Sequence, residues 1–186
     1  MSQYPLILAS ASPRRRKILE GMGLTFDVVI PEVEEIHWVA DPAGTVAENA
    51  ARKCRWACER HALSRVIAAD TVVVFGGSCI GKPVDRKDAT AMLMAFSGKC
   101  QTVFTGVAMC RPQRPLLQTT VTSQVYFREL TPDVIEEYIT RVDPLDKAGG
   151  YDIDQYSDLI IRGYEGSWTN IMGLPQDDVE EWLACK

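Results

Sequence analysis

The passage from residues 6–9 into residues 12–17 sets the tightest limit on how this chain can fold. Leu6-Ile7-Leu8-Ala9 is a short apolar run that reads as a buried strand, and Ser10-Ala11-Ser12-Pro13-Arg14-Arg15-Arg16-Lys17 follows at once. Ser12 is a good helix N-cap, Pro13 suits the first helical position, and Gly23 stops a helix predicted over 13–22. Four consecutive cations thus fall in the first turns of a helix, whose N-terminal end already carries about half a positive charge. On stability alone each costs ~0.3–1 kcal/mol where exposed. A bound polyanion reverses that sign, because free N–H groups, hydroxyls and guanidiniums such as that of Arg15 converge on phosphates. The bland alternative is a solvated basic turn beside a well-capped helix.

Strand and helix signals interleave along the rest of the chain. Thr45 and Glu48 form a capping box that predicts a helix over 46–61, with Ala47, Ala50, Ala51, Cys54, Ala57 and Cys58 as its apolar stripe. Residues 66–75 read as a strand, and Gly76-Gly77 turns it into a second around Cys79-Ile80. Asp85 caps a helix that stops at Gly98. Strands are expected near 101–109 and 118–127, and Thr131-Pro132-Asp133 opens a further helix. Ala148-Gly149-Gly150 is a loop, 159–162 a short strand, and Leu174-Pro175 leads into a last helix to about residue 184. Several strands are joined by hairpins, so the expected class is mixed α/β with a mixed sheet rather than a doubly wound parallel one.

The chain has 186 residues, which is most simply one domain with a real core. Its net charge of −5 argues against a general nucleic-acid binder. A local basic cluster on an acidic protein suits a small anionic ligand better. No apolar stretch approaches the ~18 residues of a membrane span. The apolar run at 4–9 is too short for a signal peptide and is followed by basic residues. The six cysteines show neither a CxxC pair nor a disulfide-scaffold spacing. Cys54 and Cys58 share a helix face, but with only two histidines in the chain they read as buried thiols rather than half a metal site. A reducing compartment, by default the cytoplasm, is expected. Trp38, Trp56, Trp168 and Trp182 read as packing residues.

Asp70 is the second anchor. It interrupts Val66-Ile67-Ala68-Ala69-Asp70-Thr71-Val72-Val73-Val74-Phe75, where an ionised carboxylate is costly unless paired, hydrogen-bonded or metal-bound. A strand-end aspartate is the plain reading, and a general base or magnesium ligand the functional one. Residues 76–82 fit the first seven positions of a P-loop, but Pro83 stands where a Ser or Thr must hold magnesium, and the flanks read as a hairpin. The P-loop is rejected. Lys82 remains a cation one hairpin from Asp70. Glu34, Glu35, Lys53, Asp143, Asp146 and Lys147 are less specific, and neither His37 nor His61 has the surroundings of a catalytic triad.

Taken in register, Ser10-Ala11-Ser12-Pro13-Arg14-Arg15, Ala69-Asp70-Thr71, Gly81-Lys82-Pro83, Asp146-Lys147-Ala148-Gly149-Gly150-Tyr151 and Gly166-Ser167 to Asn170 to Gly173-Leu174-Pro175 resemble the Maf family of nucleoside triphosphate pyrophosphatases. The resemblance runs through nearly the whole chain, as a single Maf-like domain over 1–186. It implies a mixed α/β fold related to the inosine triphosphate pyrophosphatases: an elongated mixed sheet flanked by helices, two lobes around a cleft, commonly a homodimer. It implies hydrolysis of a nucleoside triphosphate to monophosphate and pyrophosphate, with magnesium (or manganese) as the divalent cofactor, in a cleansing role on the nucleotide pool. No stable nucleic-acid partner and no membrane are expected. Residue by residue, Asp70 matches the catalytic acid. Ser10, Ser12, Lys53 and Lys82 match positions around the phosphates, and Glu35 matches an acidic position near the metal that Asp70 shares. Arg14, Thr71 and Asp154 match the positions that sort the family by base. The first two resemble the dTTP/UTP branch, where the third is normally Gln; CTP or modified forms enter through that departure. Asp152 also stands where the family usually has Gly.

Two other functions compete. A non-catalytic nucleotide- or DNA-binding regulator of septum formation needs the cations but has no use for a carboxylate facing phosphate without a metal. An ordinary phosphatase of different bond preference would release orthophosphate instead of pyrophosphate.

Overall fold

In the computed structural model, which describes residues 4–37 and 40–185, strand β1 (Leu6–Ala9) is buried along its whole length. Helix α1 (Pro13–Gly21) follows, with Ser12 as its N-cap. The chain continues through β2 (Asp27–Val29), α2 (Pro42–Arg60), β3 (Arg65–Phe75), β4 (Ser78–Ile80), α3 (Arg86–Phe96) and β5 (Cys100–Cys110). It ends with β6 (Leu117–Phe127), α4 (Pro132–Arg141), β7 (Ile161–Glu165), α5 (Trp168–Ile171) and α6 (Gln176–Ala184). Seven strands form one sheet in the order β2-β1-β3-β5-β6-β7, with β4 paired to β3. β1 runs parallel to β2 and β3, whereas β3–β4 and β6–β7 are antiparallel. The expected mixed α/β sheet is what forms, and residues 76–83 are a hairpin, as the rejected P-loop required. Trp38 lies outside the described residues.

The chain divides into two compact units. Unit 1 holds residues 1–71, 104–121 and 169–186; unit 2 holds 72–103 and 122–168. In unit 1 the core is built from small side chains. Ala50, Ala51, Cys54 and Ala57 of α2 pack on Ile7 and Ala9 of β1, Val66 and Ala68 of β3, and Ala108 and Cys110 of β5. Unit 2 is aromatic instead: Phe96 touches Phe75 and Phe127, and Phe127 touches Tyr151, at centroid distances of 4.9, 5.3 and 5.2 Å.

Helix α2 starts earlier than the capping-box reading placed it. Asp41 is the cap, its Oδ1 accepting from Gly44 N at 2.8 Å, and Pro42 takes the first helical position. Thr45 sits inside the first turn, donating its hydroxyl to Asp41 O at 2.8 Å. The Asp-Pro pair is the same signal as Ser12-Pro13 and outranks the later Thr-x-x-Glu. The last predicted strand is displaced as well: 157–159 is a single 3₁₀ turn, and pairing with β6 begins at Ile161.

The small-residue packing lets α2 approach β5 until no Cβ fits between them. A methyl at Gly106 would lie 2.3 Å from Val46 O, a backbone atom that can yield only by moving the helix. Gly106→Ala should therefore destabilise the protein by about 1–3 kcal/mol through overpacking. Urea unfolding of wild type and variant measures the difference.

Candidate active site

Val66, Ala68 and Asp70 alternate onto one face of β3, and the first two belong to the core that α2 covers. Asp70 is 8% exposed, so its carboxylate needs compensation within the protein. Helix α2 supplies it from successive turns of one face. Lys53 Nζ donates to Asp70 Oδ1 at 2.7 Å, and Asn49 Nδ2 donates to Asp70 Oδ2 at 3.0 Å. Lys53 also meets Glu35 Oε1 at 2.6 Å, so one ammonium bridges two carboxylates. The Glu35 segment is fastened to the same helix. Asn49 accepts from Ile36 N at 2.8 Å and donates to Ile36 O at 3.0 Å, while Arg52 donates to Glu34 O at 3.2 Å.

Partial burial acts to raise the Glu35 pKa, but the hydrogen bond and charge of Lys53, with smaller help from His37 and Arg15, outweigh it and leave Glu35 below its ordinary value. The charge count of the cluster is uneven. Two carboxylates share one ammonium. This donor set suits a hard divalent ion, which such carboxylates bind readily.

Arg15 forms a second centre. Its Nε donates to Gly173 O at 2.8 Å, and Nη1 donates to Ser10 Oγ at 3.1 Å and Ala69 O at 2.9 Å. Its Nη2 donates to Thr71 Oγ1 at 3.0 Å. Burial pushes the guanidinium down to about 10, against the opposing charge of Asp70. Thr71 Oγ1 lies 3.0 Å from Thr105 Oγ1, which donates to Asn170 O at 3.1 Å. A hydroxyl has one proton, so Thr105 spends its own on Asn170, and Thr71 must donate to Thr105. Gly173 adopts φ +105°, and a methyl there would reach 3.2 Å from Thr71 Oγ1.

Within unit 1 the structure therefore gathers Ser10, Ser12, Arg15, Glu35, Lys53, Asp70 and Thr71 about the start of α1 and the middle of β3. Arg15 differs from its expected part. Its three nitrogens are engaged by protein acceptors, which makes it the fastening of the site, whereas Arg14 stays at the first turn of α1. Lys82 and Asp154 belong to unit 2. Lys82 is exposed beside Gly81, whose carbonyl accepts from Gly149 N at 2.9 Å. Asp154 is exposed, and its N–H donates to Asp152 Oδ1 at 2.9 Å. Asp152 is buried, its other oxygen accepting from Gln155 at 3.1 Å with Lys147 Nζ 3.9 Å away, so it fixes the loop that carries Asp154. Asn49 and Thr105 were missed by the sequence reading. A polar residue four before Lys53, inside an alanine-rich stripe, was the available signal for Asn49.

The reading of Cys58 as a buried thiol is overturned. Cys58 and Cys110, 52 residues apart, form a disulfide, and only Cys54 of the helix pair is a buried free thiol. A partner that distant leaves no mark in local spacing.

A sequence profile described as Maf-like protein matches residues 5–185. The chain belongs to the Maf family. It is 42% identical over 181 residues to a dTTP/UTP pyrophosphatase of Moorella thermoacetica, covering 96% of this chain and 93% of that protein. It is 38% identical over 183 residues to one of Thermotoga maritima, covering 97% and 89%. Among solved structures, the Staphylococcus aureus Ham1 protein superposes with a TM-score of 0.54 at 16% identity, covering 96% of this chain and 99% of that one. A HAM1 protein from Coxiella burnetii gives 0.50 at 17% identity, over 69% and 75% of the two chains. The Maf chain therefore shares the mixed α/β fold of the Ham1 proteins.

The bridge between Glu35 and Asp70 has a titration consequence. Glu35 is lower in the folded than in the unfolded chain, so its stabilising contribution is present above the unfolded pKa and is lost as the pH falls through the folded one. Lys53→Met removes the two main lowering influences and leaves burial, so the Glu35 pKa should rise. Carboxyl-carbon NMR titration of both proteins reads the direction.

Proposed function

We propose that this Maf protein hydrolyses pyrimidine nucleoside triphosphates at the bond between the α- and β-phosphates, releasing the monophosphate and pyrophosphate. The observation that carries the reading is the buried Asp70 carboxylate held between Lys53 and Asn49. A pure nucleotide binder gains nothing from an acid that repels phosphate. A hydrolase needs one to orient a water molecule and accept its proton. The names of the curated relatives point the same way.

The chemistry is a balanced displacement. Water oxygen bonds to the α-phosphorus, its proton passes to Asp70, and the bridging bond to pyrophosphate breaks. Lys53 faces the charge that develops on phosphate oxygens, and Ser10, Ser12 and Arg14 offer donors at the N-terminal end of α1. The motif of Lys82 is the ground for proposing it too as a phosphate ligand. Glu35 and Asp70 would hold a divalent cation, magnesium or manganese, which supplies charge neutralisation and Lewis acidity at the phosphates. A cytoplasmic homodimer is the setting that goes with this reading.

Base choice rests on what the site can accept or donate. Thr71 has spent its proton on Thr105, so toward a base it can only accept. That suits the N–H at position 3 of uracil and thymine, which cytosine lacks. Asp154 can also only accept when ionised, which disfavours the position-4 carbonyl of uracil and suits the amino group of cytosine. The proposed outcome is a dTTP and UTP enzyme with more tolerance for CTP than a Gln at this position would give.

Incubating the protein with dTTP, UTP or CTP and magnesium should yield pyrophosphate and monophosphate; orthophosphate as first product would defeat the proposal. Asp70→Asn should lower kcat by about 10²–10⁴-fold while the protein stays folded by circular dichroism. Activity within about threefold of wild type would remove Asp70 from the chemistry. Asp154→Gln should raise the UTP-to-CTP ratio of kcat/KM. An unchanged ratio means that Asp154 does not read the base.

A further inference from the structure

Away from the carboxylate cluster, the end of α2 and the segment after β5 enclose a pocket of about 270 Å³ within unit 1. Cys58 and Cys110, joined by their disulfide, form part of its wall, together with Arg55, His61, Arg111 and Arg114. No aspartate or glutamate lines it among the described residues, although the chain as a whole carries −5. Glu48 lies 3.7 Å from Arg55. Arg111 donates to the carbonyls of Trp182 and Cys185 and lies over the Trp182 ring, while its Nε is buried with no acceptor among the described residues. Burial and the charge of Arg111 together depress the neighbouring Arg65 below the ordinary arginine value.

A third sulfur completes the picture. Cys54 Sγ is 3.9 Å from Cys58 Sγ, and all three sulfurs lie within 4.8 Å of one another. Three thiolates would attract a soft metal ion, but two of these sulfurs are spent in the disulfide and the surrounding charges are positive. Burial pushes Cys54 up to about 12, so it stays a neutral thiol and does not compete as a nucleophile at neutral pH. A disulfide at the wall of a cationic, acid-free pocket calls for a reactant that is both anionic and a thiol.

We propose that this pocket is a thiol–disulfide exchange site for an anionic low-molecular-weight thiol, with its carboxylates held by Arg55 and Arg114. Cys58 is the sulfur attacked, because it is the more open of the pair, Cys110 being 8% exposed. The incoming thiolate forms a bond to Cys58 Sγ as the Cys58–Cys110 bond breaks. The electron pair leaves on Cys110 Sγ, which takes a proton from water. A second thiol attacking the mixed disulfide releases the Cys58 thiol and the oxidised thiol pair. The protein disulfide is then reduced and two small thiols are oxidised.

The test compares mercaptosuccinate, 2-mercaptoethanol and cysteamine at equal thiolate concentration and low ionic strength. Adducts are followed by intact mass, and each rate is divided by that thiol's rate on a small neutral disulfide. Mercaptosuccinate should react at least about tenfold faster than cysteamine, at Cys58 as located by peptide mapping, and Cys58→Ser should abolish the adduct. High salt and the Arg55→Ala/Arg114→Ala pair should each bring the ratio to within about twofold. If that double variant is not folded, Arg114→Ala alone should at least halve the ratio. Equal normalised rates for the three thiols overturn the proposal, as does a ratio that survives removal of the arginines. Thiol counting that finds Cys58 and Cys110 free in the aerobically purified protein overturns it too.

Discussion

A carboxylate in the middle of a buried strand is the demand from which the architecture of unit 1 follows. Asp70 lies on the β3 face that α2 covers, and its two oxygens take their partners from that helix. The partners reach it only if the helix lies close, which is why its stripe is alanine and cysteine and why β5 offers a glycine beneath Val46. The same helix fastens the Glu35 segment through Asn49, so both acids are brought to one ammonium by a single rigid element. The acid is expensive to bury alone and inexpensive once Lys53 and Asn49 arrive together.

Arg15 answers a different need. A helix opening with four cations is electrostatically awkward, and the fold resolves part of that by turning one of them inward. There the guanidinium satisfies two backbone carbonyls and two hydroxyls, drawing together the start of α1, the middle of β3 and the turn at Gly173. Its planar fork suits acceptors arriving from three segments; a lysine could not serve them all. Arg14 keeps its place in the first turn of the helix.

Much of this was legible in the sequence because local signals and global needs agree. Ser12-Pro13 and Thr131-Pro132 mark helix starts that the structure keeps, and an Asp in an apolar decapeptide marked the acid. Most of the departures share one cause, which is dependence on distant residues. The Asp41 cap is the exception, a local Asp-Pro signal that stood beside a second plausible cap. Arg15 looked like its neighbours until acceptors from residues 69, 71 and 173 became visible. The Cys58–Cys110 bond joins segments 52 residues apart, beyond any periodicity. The proton on Thr71 could be placed only after Thr105 and Asn170 were seen.

The bond from Arg15 to Gly173 spans 158 residues of sequence. During synthesis from the N-terminus the arginine emerges long before this acceptor, at roughly 5–20 residues per second. Through that interval a nascent chain carries the basic helix, the strand acid and its lysine without the turn that sets Arg15 and Thr71 in place. Until Gly173 has been made, Arg15 lacks one of its four acceptors, so the fan of hydrogen bonds around its guanidinium is completed late. High contact order of this kind slows folding, and here it also orders events in time: Arg15 meets Ser10, Ala69 and Thr71 in the nascent chain before it can meet Gly173.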